Sequence, residues 1–165
     1  MSNPRAVIFA NGELADGAAV QRWLRPDDFL IAANGGLRHI KALGLKPHLL
    51  IGDLDSLSPD EVTALQNSGV QMERHPAEKD ETDLELALQH ALRQGFQSIR
   101  IVAALGGRLD QTLANLALLE MPGLEKVDIR LDDGREEIFI IRDQAVVEGE
   151  PGDTVSLLAM NECTK

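Results

Sequence analysis

The chain has 165 residues and a formal net charge of −11, enough length for one good-sized core and the wrong charge for nucleic acid or an anionic membrane as partner. Apolar residues make up 44% and charged residues 26%, as in soluble globular proteins, but aromatics reach only 3%, so the core must be built from Leu, Ile, Val and Ala. A single cysteine, Cys163, leaves no intrachain disulfide and fits a reducing compartment.

The first apolar run, residues 6–10, is too short for a signal peptide or a membrane span and suits a buried strand, so a cytoplasmic location is expected. Further runs follow at 29–33, 48–51, 70–74 and 99–104. They are near-continuously apolar, as strands buried on both faces should be. Helical patterns lie between them. Ser58-Pro59-Asp60-Glu61 has a serine cap, a proline at the first helical position and a glutamate three residues after the cap. Leu84, Ala87, Leu88, Ala91 and Leu92 form one apolar stripe, and Leu109, Leu113 and Leu116 repeat the spacing. Gly44, Gly69 and Gly95 stand where helices should stop. The unit is strand–helix repeated. A Rossmann-like α/β fold is therefore expected, a mostly parallel sheet with helices on both faces.

The pattern changes near Lys126. Residues 127–131, 137–142, 145–148 and 154–160 read as strands, and Asp132-Asp133-Gly134 and Glu150-Pro151-Gly152-Asp153 read as turns. The expected organisation is an α/β domain over 1–126 and a partial all-β unit over 127–165, which stops with few residues to close a sheet.

Polar clusters sit directly after the apolar runs, at the carboxyl ends of parallel strands, where ligands bind in such folds. They are Asn34-Gly35-Gly36, Gly52-Asp53-Leu54-Asp55-Ser56, the stretch from Glu78 and Lys79 through Asp80, Glu81 and Thr82 to Asp83, and Gly106-Gly107-Arg108-Leu109-Asp110-Gln111. Four clusters on one sheet edge converge on one place. In extended chain Asp53 and Asp55 point to the same side; two carboxylates held together suit a hard cation such as Mg²⁺, or else form a solvated Asp-rich turn. Asp80 can be read as a helix cap and Lys79 as either a phosphate contact or a surface lysine. Gly107 and Arg108 before a helix suit an anion, or make a plain strand-to-helix turn; Gly35 and Gly36 are equally explained by close packing. Neither standard glycine-rich phosphate fingerprint is present. The four histidines show no metal-ligand spacing.

These clusters, in this order, resemble the thiamine pyrophosphokinase family, and Gly152-Asp153-Thr154-Val155-Ser156-Leu157-Leu158 resembles the opening of that family's second domain. The resemblance implies a Rossmann-like catalytic domain followed by a thiamine-binding β-sandwich, a homodimer, and transfer of pyrophosphate from ATP to thiamine to give thiamine diphosphate and AMP. It implies that Asp53, Asp55 and Asp83 hold Mg²⁺. It implies an ATP site of Asn34, Gly35, Gly36, Ser56, Lys79, Thr82, Asp83 and Arg108, with Asp110 beside it as a further catalytic carboxylate. Asp55 or Asp110 would take the hydroxyl proton. The family usually carries Asp where this chain has Asn34, which removes one negative charge from the metal site. Its second domain normally continues past the point where this sequence stops. A pyrophosphokinase for another alcohol, such as a pterin, and a non-catalytic nucleotide-binding module are the alternatives.

Overall fold

The sequence Arg5-Ala6-Val7-Ile8-Phe9 forms β1 (Arg5–Phe9), and every residue in it is buried. It lies at the centre of a seven-stranded sheet, described together with the rest of residues 4–159 by a computed structural model. The other strands are β2 (Phe29–Ala33), β3 (Leu49–Gly52), β4 (Gln71–Arg74), β5 (Ser98–Val102), β6 (Asp128–Asp132) and β7 (Glu137–Ile138). The order across the sheet is β4-β3-β2-β1-β5-β6-β7. The first six strands are parallel and β7 runs antiparallel to β6. Ile8 pairs with Ile31 on one side and Ile101 on the other.

The helices are α1 (Gly17–Trp23), α2 (Leu37–Ala42), α3 (Pro59–Asn67), α4 (Asp83–Arg93) and α5 (Leu109–Ala117). Two hydrophobic clusters, one per sheet face, explain the continuous apolar runs. Val7, Phe9, Leu30, Ala32, Leu50 and Val102 meet Val20 of α1, Ile40 of α2 and Leu65 of α3. Ala6, Ile8, Ile31, Ile51, Ile99 and Ile101 meet Leu84, Leu88 and Ala91 of α4. Successive side chains point to opposite faces, so a strand covered on both sides needs apolar residues throughout. The capping box of α3 is formed, with Ser58 Oγ accepting from the Glu61 N–H and the Glu61 carboxylate accepting from the Ser58 N–H. Below the sheet, Arg5 and Asp28 make a buried two-pronged ion pair, with side-chain exposures of 6% and 1%.

The expectations for α5 and for the last strands are corrected here. The stripe expected on α5 does not face inward: Leu109 and Leu113 are 71% and 57% exposed. The inner line is Thr112, Asn115, Leu116 and Leu119, with Asn115 Nδ2 donating to the Ala104 carbonyl at 2.7 Å. That hydrogen bond sets the helix's rotation, and the 3₁₀ turn Leu118–Glu120 buries Leu119 in place of the earlier leucines. The parallel sheet runs on past Lys126, because β6 pairs in parallel with β5, Ile99 with Ile129 and Ile101 with Leu131. The strand expected over 137–142 forms only at Glu137–Ile138, and residues 139–142, 145–148 and 154–159 carry no strand among the described residues, since no neighbouring strand there takes up their N–H and C=O groups. Met160, the last residue of that expected strand, lies outside the described residues. Among the described residues no helix is long and apolar enough to cross a membrane.

Candidate active site

The chain steps from β1 outward through β2 and β3 to β4, then crosses back to β5 on the other side of β1. The loops after β1 to β5 therefore open on one carboxyl edge, with the reversal of direction between β1 and β5. Three non-glycine residues among those described have positive φ: Asn34 (44°), Leu54 (62°) and Ala103 (56°). Asn34 and Ala103 directly follow β2 and β5, and Leu54 is the second residue after β3. Left-handed backbone costs about 1–2 kcal/mol for a residue such as Leu or Ala, so unfavourable conformation is concentrated on this edge, as it is at functional sites generally.

The first and second clusters touch. Asn34 Nδ2 donates to Asp53 Oδ1 at 3.3 Å, and the same oxygen accepts from the Asp55 N–H at 3.1 Å. Asp53-Leu54-Asp55 is therefore the Asp-rich turn, the second of the two readings, and not extended chain: left-handed Leu54 drops its side chain into the core, 3% exposed, while Asp55 and Ser56 stand in solvent. Gly36 is a packing glycine, because a Cβ there would collide with the Phe9 carbonyl.

The third cluster forms the β4–α4 loop. Thr82, not Asp80, caps α4, its Oγ1 accepting from the Glu85 N–H at 3.1 Å. Threonine's single oxygen reaches that N–H from extended backbone, with Asp83 opening the helix behind it. Lys79 Nζ pairs with Asp83 Oδ1 at 2.8 Å and also donates to the Pro76 carbonyl. Arg108 lies before α5 and grips both oxygens of Asp110, with Nε at 3.0 Å from Oδ1. The hydrogen bond from Arg108 lowers the Asp110 carboxyl pKa, with desolvation opposing it, and Asp110 in turn raises Arg108.

Cations and carboxylates thus stand in pairs along the edge. Asp53, Asp55 and Asp83 are not gathered into one ligand set; among the described residues no three His, Cys, Asp or Glu side chains form a metal-holding group. Asp83 is instead engaged by Lys79, and Asp53 by an amide and a backbone N–H.

A fifth loop, Asn11-Gly12-Glu13, belongs to the same edge and was missed from sequence. It follows β1 as the others follow their strands, so the same rule finds it. Gly12 and Glu13 donate to the carbonyls of Ala103 and Leu105 at 2.6 and 2.8 Å, lacing the crevice between β1 and β5. From α2, Arg38 Nη2 donates to the Asn11 and Gly12 carbonyls at 2.9 and 2.8 Å, and His39 Nε2 lies 2.9 Å from the Gly12 carbonyl. Burial pushes the His39 pKa down; the bond to Gly12 opposes it, and Arg38 adds to the lowering.

An open parallel sheet with helices on both faces and paired charges at its carboxyl edge defines a doubly wound α/β domain. Residues 20–131, which include every site residue named from sequence, match the family model for the thiamin pyrophosphokinase catalytic domain. The chain belongs to the thiamin pyrophosphokinase family. It is similar to the thiamine pyrophosphokinase of Bacillus subtilis (strain 168), 36% identical over 95 residues, covering 58% of this chain and 44% of the relative. It is also similar to thiamin pyrophosphokinase 1 of Caenorhabditis elegans, 27% identical over 159 residues, covering 89% and 59%. The crystal structure of a thiamin pyrophosphokinase family protein from Enterococcus faecalis superposes with a TM-score of 0.64 at 33% identity, covering 82% of this chain and 63% of that one. The structure of the Bacillus subtilis enzyme gives 0.63 at 25% identity, covering 78% and 60%. The chain therefore spans less than two thirds of the length of these relatives.

Proposed function

We propose that this chain is the nucleotide-binding and catalytic part of a Mg²⁺-dependent pyrophosphokinase that transfers pyrophosphate from ATP to the hydroxyl of thiamine, giving thiamine diphosphate and AMP. The observation that carries this reading is the coincidence of the family match with the carboxyl edge, where Asn34 and Asp53 touch and the Lys79–Asp83 and Arg108–Asp110 pairs flank them.

The donor set fits the metal in kind. Asp53, Asp55 and Asp83 offer hard oxygens, and Asn34 presents its own oxygen if the amide turns over. Mg²⁺ bound there would neutralise phosphate charge that an acidic protein cannot otherwise balance. The remaining work is positioning and electrostatics, as in phosphoryl transfer generally. Lys79 and Arg108 exchange their carboxylate partners for phosphate oxygens, Arg108 with its planar fork. Thr82 retains its hydroxyl proton for a phosphate while its oxygen caps α4. Gly35, Gly36 and Ser56 line the nucleotide side. Asp55, exposed in the Asp53 turn, or Asp110, released when Arg108 moves to phosphate, takes the hydroxyl proton.

A homodimer in the cytoplasm and a thiamine-binding β unit beginning after the α/β domain complete the reading. The test is AMP release from Mg-ATP with thiamine, with a pterin alcohol, or with no acceptor. Thiamine-dependent AMP supports the proposal. Pterin-dependent AMP reassigns the acceptor, and no AMP in any arm leaves a nucleotide-binding module.

A further inference from the structure

Lys79, Thr82 and Asp83 depend on a loop, residues 75–82, that has no regular secondary structure. Both ends of this loop are tied to one carboxylate outside the site. Glu73, on β4, takes His75 Nε2 at 3.0 Å on one oxygen and His90 Nδ1 at 2.9 Å on the other. Arg93 Nη2 adds a contact at 3.4 Å. His75 is the first residue after β4, and its backbone N–H donates to the carbonyl of Gly52, next to Asp53. His90 and Arg93 lie on α4, about two and three turns beyond Asp83. Burial raises the Glu73 carboxyl, but the bonds from His75 and His90 and the charges of His90 and Arg93 outweigh it, so the group is held ionised.

We propose that Glu73, with His75 and His90, is a positioning clasp that holds the β4–α4 loop in register for the Mg-nucleotide. This role rests on the proposed nucleotide site at that loop. A loop ordered beforehand avoids the entropy loss of being ordered by its ligand, so the clasp acts on affinity. A carboxylate that served only to tie α4 to the sheet would act on stability alone.

Glu73→Ala separates the two. In hydrogen exchange without ligand, amides of the 75–83 segment should exchange about tenfold faster, with the amides of β1, β2 and β5 unchanged. In calorimetry the Kd for Mg-ATP should weaken about tenfold, near 1.4 kcal/mol. In turnover, KM for ATP should rise by the same factor while kcat at saturating ATP stays within about twofold. Glu73→Gln, which keeps an acceptor and the shape, should recover part of the affinity. If Glu73→Ala does not fold, His90→Ala carries the same comparison. Unchanged loop exchange overturns the clasp, and so does faster exchange with unchanged Mg-ATP affinity. Failure of the unsubstituted protein to bind Mg-ATP would refute the nucleotide site instead, and the exchange result would still decide whether the clasp exists.

Discussion

Asn34→Asp tests the electrostatics of the site directly. Asn34 donates to Asp53 Oδ1 at 3.3 Å. A carboxylate in its place loses a hydrogen bond worth about 1 kcal/mol and sets two negative charges against each other. At that separation the repulsion is about 5 kcal/mol for an effective dielectric constant near 20, and about 1 kcal/mol in bulk water. Both residues are half-buried and the new side chain can rotate outward, so a net loss of about 2 kcal/mol is expected without metal, roughly 4–8 °C in Tm for a domain of this size. Mg²⁺ supplies the positive charge that the amide had approximated. At ten times its Kd the ion returns about 1.4 kcal/mol, so the rise in Tm from chelator to Mg²⁺ should be larger in the variant than in the parent. Thermal unfolding followed by circular dichroism in both conditions measures it. A variant as stable as the parent in chelator, or an equal Mg²⁺ response in both, would refute the reasoning.

Three further outcomes are expected. Arg108→Lys replaces a fork on two carboxylate oxygens by a point charge, so turnover should fall by roughly tenfold or more with Tm unchanged, as Arg108 is exposed; an unchanged rate would remove it from the site. Glu73 has a carboxyl pKa below its ordinary 4.5, so the folded state binds fewer protons there than the unfolded one. Its contribution is complete above about pH 4.5 and is lost as pH falls through the lower folded value; Glu73→Gln should flatten the denaturant midpoint against pH in that acid range. Asp28→Ala leaves Arg5 charged and buried, which should cost about 3–5 kcal/mol in urea unfolding, whereas a loss under about 1 kcal/mol would show that Arg5 finds another partner or water.

Legibility followed burial. β1, β2 and β3 could be read because they are covered on both faces, which leaves near-continuous apolar runs; β5 was read from Ile99, Ile101 and Val102, with Arg100 interrupting it. β6 alternates: Ile129 and Leu131 are buried, while Asp128, Arg130 and Asp132 are not. Its outer face carries the Arg100–Asp128–Arg130–Glu137 ion pairs in place of a helix, so its sequence resembles a one-sided antiparallel strand and suggests a new unit. On α5 the spacing of leucines was correct for a helix but not for its rotation, which the Asn115 side chain sets through a contact eleven residues back. At the site, the positions of the clusters after the strands were legible. Their internal geometry was not, because it depends on left-handed backbone at Asn34 and Leu54 and on ion pairs such as Lys79–Asp83 that no motif specifies. His75 and His90 showed no ligand spacing because they serve a shared carboxylate on a third residue.

The central claim is that the carboxyl edge holds Mg-ATP through the carboxylates after β3. Calorimetric titration of Mg-ATP into the unsubstituted protein and into Asp53→Asn tests it most directly. Asp53 is half-buried at the edge and outside the core, so the substitution should preserve the fold, verified by an unchanged circular dichroism spectrum. Saturable Mg-ATP binding by the parent, at least about tenfold weaker in Asp53→Asn, is the predicted result. Equal affinity in the two proteins would contradict the account.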